Sequence, residues 1–431
     1  MTYSEAVARI LALRGGEIAG MRQGLERIEA LLAAIGNPER GLRIVHVAGT
    51  NGKGSVSAMV ASMLERAGHR AGLYTSPHLR DFRERIRVNG RPISEADVVD
   101  GVDAIATLVA RLDATMFEAT TALALDHFAR AEADVAVLEV GLGGRLDATT
   151  VGRPEVEIVS RIDIDHQASL GRTLVEIAGE KAAIIRSGVA FAARQEPEVE
   201  DVLRAQAERA GVPIAFEGRE LRAAVRSFGL DGQRLDLEGP GFRFDDLACP
   251  LLGVFQPGNA VLAVAAARHL GADEAAIRAG LAATRWPGRF QIVRRDPVLI
   301  LDGAHNPAGA RALAASLAAY FPGRPLTLVI GISSDKDRAG ILAPLVPLAS
   351  RVILTAYRSP RSASPESLRA ALPPGSPRVD TAASLDEALV LALAEPRTPI
   401  VCVAGSLYLI GEALAQAPEK QDNLCHLGAG C

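Results

Sequence analysis

The densest chemistry in the chain lies between Val45 and Ser55. There an apolar strand, Val45-His46-Val47-Ala48, runs into Gly49-Thr50-Asn51-Gly52-Lys53-Gly54-Ser55, and a helix opens behind it. Backbone N–H groups of a glycine turn and of a helix start converge on an anion, Lys53 adds a mobile cation, and Ser55 offers a hydroxyl to phosphate or magnesium. The spacing departs from the standard phosphate loop: only Thr50 and Asn51 separate Gly49 from Gly52, and Gly54 stands between Lys53 and Ser55. A bare glycine turn often serves packing alone. With strand, lysine, serine and helix in sequence, the combination points to a nucleotide phosphate.

Further polar residues fall where apolar runs end. Ser76 follows Ala71-Gly72-Leu73-Tyr74, Glu139 closes the run from Asp134, and Asp165-His166 follows the run from Val156 to Ile164. If these runs are parallel strands, their carboxyl ends lie on one edge with the glycine loop, where α/β folds bind ligands. Ser76 and Glu139 offer oxygens that suit magnesium, and His166 is an uncommon but tolerable partner. Each alone has an ordinary reading as a cap, a surface ion pair or a structural histidine; their joint placement favours a metal. Lys181, beside Glu180 in a helical stretch, reads on its own as an exposed ion-pair partner. Asp302, heading Asp302-Gly303-Ala304-His305-Asn306-Pro307, either accepts from a nucleotide or merely begins a turn before a helix at Pro307. Arg289, in Pro287-Gly288-Arg289, stands where helix gives way to a new set of strands and has the chemistry of a phosphate clamp.

The elements that must position these residues predict an α/β protein. A mostly parallel N-terminal sheet with helices on both faces carries the loop. A small antiparallel appendage follows from about Phe216 to Phe244, and a smaller Rossmann-like α/β part comes last. At 431 residues two domains are expected, 1–287 and 288–431. Residues 1 to 40 read as helical up to Gly36-Asn37-Pro38, Thr173 to Ile185 as one helix, and Gly258 to Ala283 as another. The tail from Pro418 reads as frayed.

Hydrophobic residues make up 48% and charged residues 23%, an ordinary globular balance, and the formal charge of −4 argues against nucleic acid or an anionic membrane as a partner. The N-terminus has no signal-peptide pattern, and no apolar stretch reaches bilayer length. The four cysteines, Cys249, Cys402, Cys425 and Cys431, show no metal-ligand spacing, so a reducing cytoplasm is expected.

Taken together, the residues resemble the folylpolyglutamate synthase and dihydrofolate synthase family of the Mur-ligase superfamily. The resemblance runs through Gly49 to Ser55, Thr75-Ser76-Pro77-His78-Leu79, Phe117-Glu118, Glu139 to Ala148, Asp165-His166, Glu180-Lys181, Phe255-Gln256 with Asn259, Pro287-Gly288-Arg289, Asp302 to Pro307 and Gly405-Ser406-Leu407-Tyr408. It implies that Gly49, Thr50, Asn51, Gly52, Lys53, Gly54 and Ser55 bind ATP with Asn259, Arg289 and Asp302. It implies two magnesium ions, with Ser76, Glu139 and His166 as metal ligands, and a carbamylated Lys181. The pterin substrate is implied near Thr115, Met116, Phe117 and Glu118, near Leu146, Asp147 and Ala148, and near Gly24 and Leu25. Thr150 and Ala183 depart from the family's usual asparagine and glycine.

The expected reaction joins L-glutamate to dihydropteroate or folates through an acyl phosphate, with Lys53, Lys181, His166 and His305 as catalytic candidates, in a monomeric enzyme. Two alternatives stand beside it. One is another Mur-type amino-acid ligase, against which the short stretch before residue 40 counts. The other is a nucleotide-dependent switch or binding protein.

Overall fold

The computed structural model describes residues 1–15, 24–394 and 400–416. Its strands are β1 (Arg43–Ala48), β2 (Ala71–Tyr74), β3 (Ile86–Val88), β4 (Arg91–Pro92), β5 (Val135–Glu139), β6 (Pro154–Val159), β7 (Val189–Ala192), β8 (Ile214–Phe216), β9 (Arg222–Gly229), β10 (Gly232–Gly239), β11 (Phe242–Cys249), β12 (Gln291–Arg295), β13 (Val298–Asp302), β14 (Leu326–Ile330), β15 (Arg351–Thr355), β16 (Arg378–Ala382) and β17 (Ile400–Ala404). The first eight form a sheet in the order β4-β3-β2-β5-β1-β6-β7-β8, parallel except where β3 and β4 make an antiparallel edge. β9 to β11 form a separate antiparallel meander. The remaining strands form a second sheet, β12-β13-β17-β14-β15-β16, with only β12 antiparallel.

Central strands buried on both faces explain the unbroken apolar runs. Val45 and Val47 pack under the helices Lys53–Arg66 and Gln256–His269, whereas Ile44 and Leu138 meet Met116–Arg130 on the other face. Each such side chain contributes about 1.5–3 kcal/mol by leaving water. The second sheet has a core of its own around Ile300, Leu328, Val352 and Cys402. The molecule is thus a two-domain α/β protein whose second domain is the smaller.

The elements differ from the sequence expectation at their ends. The Val156–Ile164 run pairs only as far as Val159, because the Arg161 carbonyl is taken by the phosphate-loop amides. The 258–283 stretch is two helices, Gln256–His269 and Glu274–Ala283, broken at Gly271 (φ +97°) and restarted by Asp273, whose carboxylate accepts from the Ala276 N–H. The helix expected from Thr173 to Ile185 is Leu174–Ala182, with Thr173 as its cap. At the N-terminus the described α-helices are Tyr3–Leu11 and Glu26–Ala34, and Asn37 in a left-handed conformation stops the second. The tail from Pro418 lies outside the described residues. Among those described, no helix is long and apolar enough to cross a membrane.

Candidate active site

The glycine loop leaves β1 and must pass close to two side chains. A Cβ on Gly49 (φ +142°) would stand 1.9 Å from Ser160 Oγ, and one on Gly52 (φ +97°) would stand 2.6 Å from Asn259 Oδ1. The turn amides do not all converge on an anion as expected. Thr50 and Asn51 donate their N–H groups to the Arg161 carbonyl at 2.9 and 3.2 Å, and Thr50 Oγ1 pairs with the Asp163 backbone. These bonds fasten the loop, and the N–H groups left for phosphate are those of the first turn of Lys53–Arg66. Lys53 Nζ donates to the Gly49 and Thr50 carbonyls at 3.2 and 3.4 Å. Ser55, buried below, accepts from Gln256, which also accepts from Asn259.

Lys181 reaches the same loop. Its buried Nζ donates to the Gly49 carbonyl at 2.9 Å, and burial, reinforced by the Lys53 charge, brings its pKa down to about 7. A neutral amine is therefore well populated near neutrality. The local pattern, which reads Lys181 as an exposed ion-pair partner, misses this, because burial of a helical lysine depends on what packs above it.

Parallel pairing sets Glu139 against Val47, one residue from the end of β1. The Ser76 N–H donates to Glu139 Oε2 at 3.1 Å. Burial pushes Glu139 upward, against the charges of Lys53, Arg289 and Arg85 and the Ser76 N–H. Glu139, Ser76 and His166 line one cavity of about 820 Å³. Among the described residues no three His, Cys, Asp or Glu side chains gather as a metal cage. The desolvated Glu139 carboxylate next to Ser76, with the His166 imidazole in the same cavity, fits a magnesium ion that takes its other oxygens from phosphate and water. Burial lowers His166 to about 4, leaving it a neutral donor nitrogen.

The second domain closes the cavity. Arg289 is half-buried, its Nη1 on the Gly288 carbonyl at 3.2 Å, with Asp302 and Glu139 the acidic groups that oppose the cost of its desolvation. Asp302 accepts from the Phe290 and Ala304 N–H groups at 2.7 and 2.8 Å, so it braces the turn that presents Arg289. His305 Nδ1 lies 2.8 Å from the Gly303 carbonyl, and burial lowers this residue to about 4.

Sequence reasoning missed the contacts that join the halves. Asp165 takes Lys336 Nζ at 2.5 Å and Asn306 Nδ2 at 2.9 Å, with His305 Nε2 at 4.0 Å. Although burial works to raise Asp165, the His166 and His305 rings facing it and the Lys336 ammonium hold it below the usual carboxylate range. Asn306 and the loop residue Asn51 exchange two amide hydrogen bonds at 3.1 Å, and Arg311 meets Asp163 at 3.0 Å. Asn306 lay inside a recognised motif. Lys336 and Arg311 carried no signal, since charged residues in loops and on helices ordinarily face water.

Of the pterin-side candidates, Phe117 lines the cavity, its ring so close to the Gly141 backbone that a Cβ there would stand 2.5 Å from it. Thr115 and Glu118 form a reciprocal cap, with Arg27 paired to Glu118 at 2.9 Å. Met116 and Ala148 are buried in the core, and Leu146 is exposed. Asp147 accepts from Leu142 and Thr149, while Leu25 leads into the helix Glu26–Ala34 just after Gly24 (φ +120°).

A phosphate loop at the edge of a parallel sheet, facing an arginine and a histidine from a second α/β domain, defines a Mur-type ligase. Residues 47–267 match the Mur ligase middle domain and residues 288–407 the Mur ligase glutamate ligase domain. The chain is 42% identical over 399 residues to the dihydrofolate synthase/folylpolyglutamate synthase of Mycobacterium tuberculosis, covering 85% of this chain and 82% of that protein. It superposes on the crystal structure of M. tuberculosis folylpolyglutamate synthase complexed with ADP and AMPPCP with a TM-score of 0.88 at 39% identity, covering 96% of this chain and 98% of that one. Escherichia coli FolC in complex with DHPP and ADP gives 0.87 at 32% identity, covering 96% and 97%. The chain belongs to the dihydrofolate synthase/folylpolyglutamate synthase family.

Proposed function

We propose that this protein is an ATP-dependent ligase that joins L-glutamate to dihydropteroate, to folates, or to both. The observation that carries the reading is the single cavity in which the phosphate loop, Glu139 and Lys181 of one domain face Arg289 and His305 of the other. A carboxylate is a poor electrophile, so phosphoryl transfer from ATP to the acceptor carboxylate makes an acyl phosphate. The α-amine of glutamate then attacks its carbonyl carbon, forming the amide and releasing inorganic phosphate.

The chain's own residues supply position and charge. The first-turn N–H groups of Lys53–Arg66 and the Lys53 ammonium hold the phosphates, Asn259 packs on the loop, and Arg289 adds charge from across the cleft. Magnesium, held by Ser76, Glu139 and His166, would screen the phosphate oxygens and orient them. The neutral Lys181 amine is set up to attack carbon dioxide, forming an N–C bond and losing one proton. The resulting carbamate is a carboxylate in a pocket already rich in positive charge. His305, neutral at pH 7, is able to take the proton that the attacking amine releases. In this reading residues 1–287 bind ATP and the pterin and residues 288–431 present glutamate, in a monomeric cytoplasmic enzyme.

The test offers the protein ATP, labelled glutamate and either dihydropteroate or tetrahydrofolate. ADP release that requires both glutamate and a pteridine acceptor supports the ligase and identifies the acceptor. Nucleotide binding without an acceptor-dependent product would leave the reading without its chemistry.

A further inference from the structure

His46 is fully buried in the middle of β1, on the face opposite Val45 and Val47. Its Nε2 lies 2.9 Å from Thr149 Oγ1, and Thr149 Oγ1 lies 2.5 Å from Asp147 Oδ1. Asp147 also accepts from the Thr149 N–H at 3.0 Å and, through Oδ2, from the Leu142 N–H at 2.8 Å. A carboxylate with three donors takes the threonine proton, and a hydroxyl has only one to give. Thr149 Oγ1 is then left to accept from the ring, so His46 carries its proton on Nε2.

Glu157 is the register partner of His46 on β6, so both side chains leave the sheet on the same face. Its Oε1 accepts from the Arg186 and Ser187 N–H groups at 3.0 and 2.8 Å. Glu157 Oε2 and His46 Nδ1 are both buried and have no hydrogen-bond partner among the described residues. Burial raises Glu157 to about 7, against those two N–H groups and the Arg186 charge, and burial with the same Arg186 charge lowers His46 to about 3.

We propose that His46 is a positioning residue: as its Nε2–H tautomer it fixes Thr149 and Asp147 and thereby sets the Gly141–Leu142 wall of the cavity. Gly141 and Leu142 line that cavity beside Phe117, whose ring rests on the Gly141 backbone, so the wall shapes the acceptor side rather than the phosphate side. The assignment of that side to a pteridine rests on the ligase reading above.

Steady-state kinetics and nitrogen-15 NMR of the full chain test the proposal together. His46→Leu keeps the volume and removes the donor; the acceptor KM is expected to rise about tenfold while the ATP KM stays within about twofold. His46→Gln, whose amide nitrogen overlies Nε2, is expected to restore the acceptor KM, and Thr149→Val to copy His46→Leu if the latter folds poorly. An ATP KM that moves with the acceptor KM, or neither moving, overturns the proposal. In the wild type, the ring signal lost in His46→Gln should show the Nε2–H tautomer from pH 5.5 to 8.5; an Nδ1–H tautomer or a ring titrating near 6.5 overturns it. If the wild type lacks acceptor-dependent ADP release, the ligase reading falls, and the NMR measurement still decides the tautomer chain.

Discussion

The two walls of the cavity are built by different means. On the phosphate side the turn, Lys53 and Ser55 are contiguous in sequence, and their geometry is set by β1, one helix and the bonds from Thr50 and Asn51 to Arg161. On the opposite side Asp165 is held by Lys336 and Asn306, 171 and 141 positions away, and Asn51 by Asn306, 255 away. A local site exists as soon as its own domain folds. A site assembled across the cleft exists only while the domains are docked, and its bonds therefore report closure as well as chemistry.

Substitutions that break one wall and spare the other sharpen this contrast. Lys53→Ala removes a charge at the phosphates, and acceptor-dependent ADP release should fall about 10²–10³-fold in kcat/KM with the overall shape in X-ray scattering unchanged. Lys181→Ala should lose roughly 100-fold and recover in part with added acetate or propionate, which restores a carboxylate to the pocket; a variant at full activity would remove the lysine from the mechanism. Because Lys181 sits near 7, its neutral fraction drops about tenfold per pH unit below that value, so carbamate formation in bicarbonate buffer should slow in the same proportion.

Lys336→Met leaves Asp165 without its closest cation. It is expected to cost about tenfold in kcat/KM and to expand the particle in scattering, an effect Lys53→Ala should not share. His46, His166 and His305 are all held neutral by burial, while the unfolded chain binds their protons near pH 6.5. The unfolded state thus takes up more protons as pH falls, and stability should be lost from pH 6.5 downward, by up to about 2 kcal/mol per histidine between pH 7 and 5, read from urea midpoints. The smallest effect belongs to Arg311→Ala: its ion pair with Asp163 is largely exposed on the arginine side, and a change under about threefold is expected.

Much of the fold was legible because apolar runs ending in polar residues mark buried parallel strands, and Ser76, Glu139 and His166 were readable as residues at or beyond such ends. Helix ends were less so: Gly271 with Asp273 broke a stretch whose apolar pattern continued through both helices. The pterin-side residues separated for a similar reason. Phe117 and Met116 are neighbours on one helix, and a turn of about 100° per residue sends the first to the cavity and the second into the core.

By itself the sequence determined the glycine loop, the lysine beside it, the order of strands and helices, and the family these belong to, since all are carried by short-range pattern. Only the tertiary structure decided that Lys181 is desolvated, that two loop amides clamp the loop, that Lys336 closes on Asp165, and that His46 ends a buried chain to the cavity wall. Desolvation and long-range hydrogen bonds depend on which distant segments pack together, and no local spacing records that.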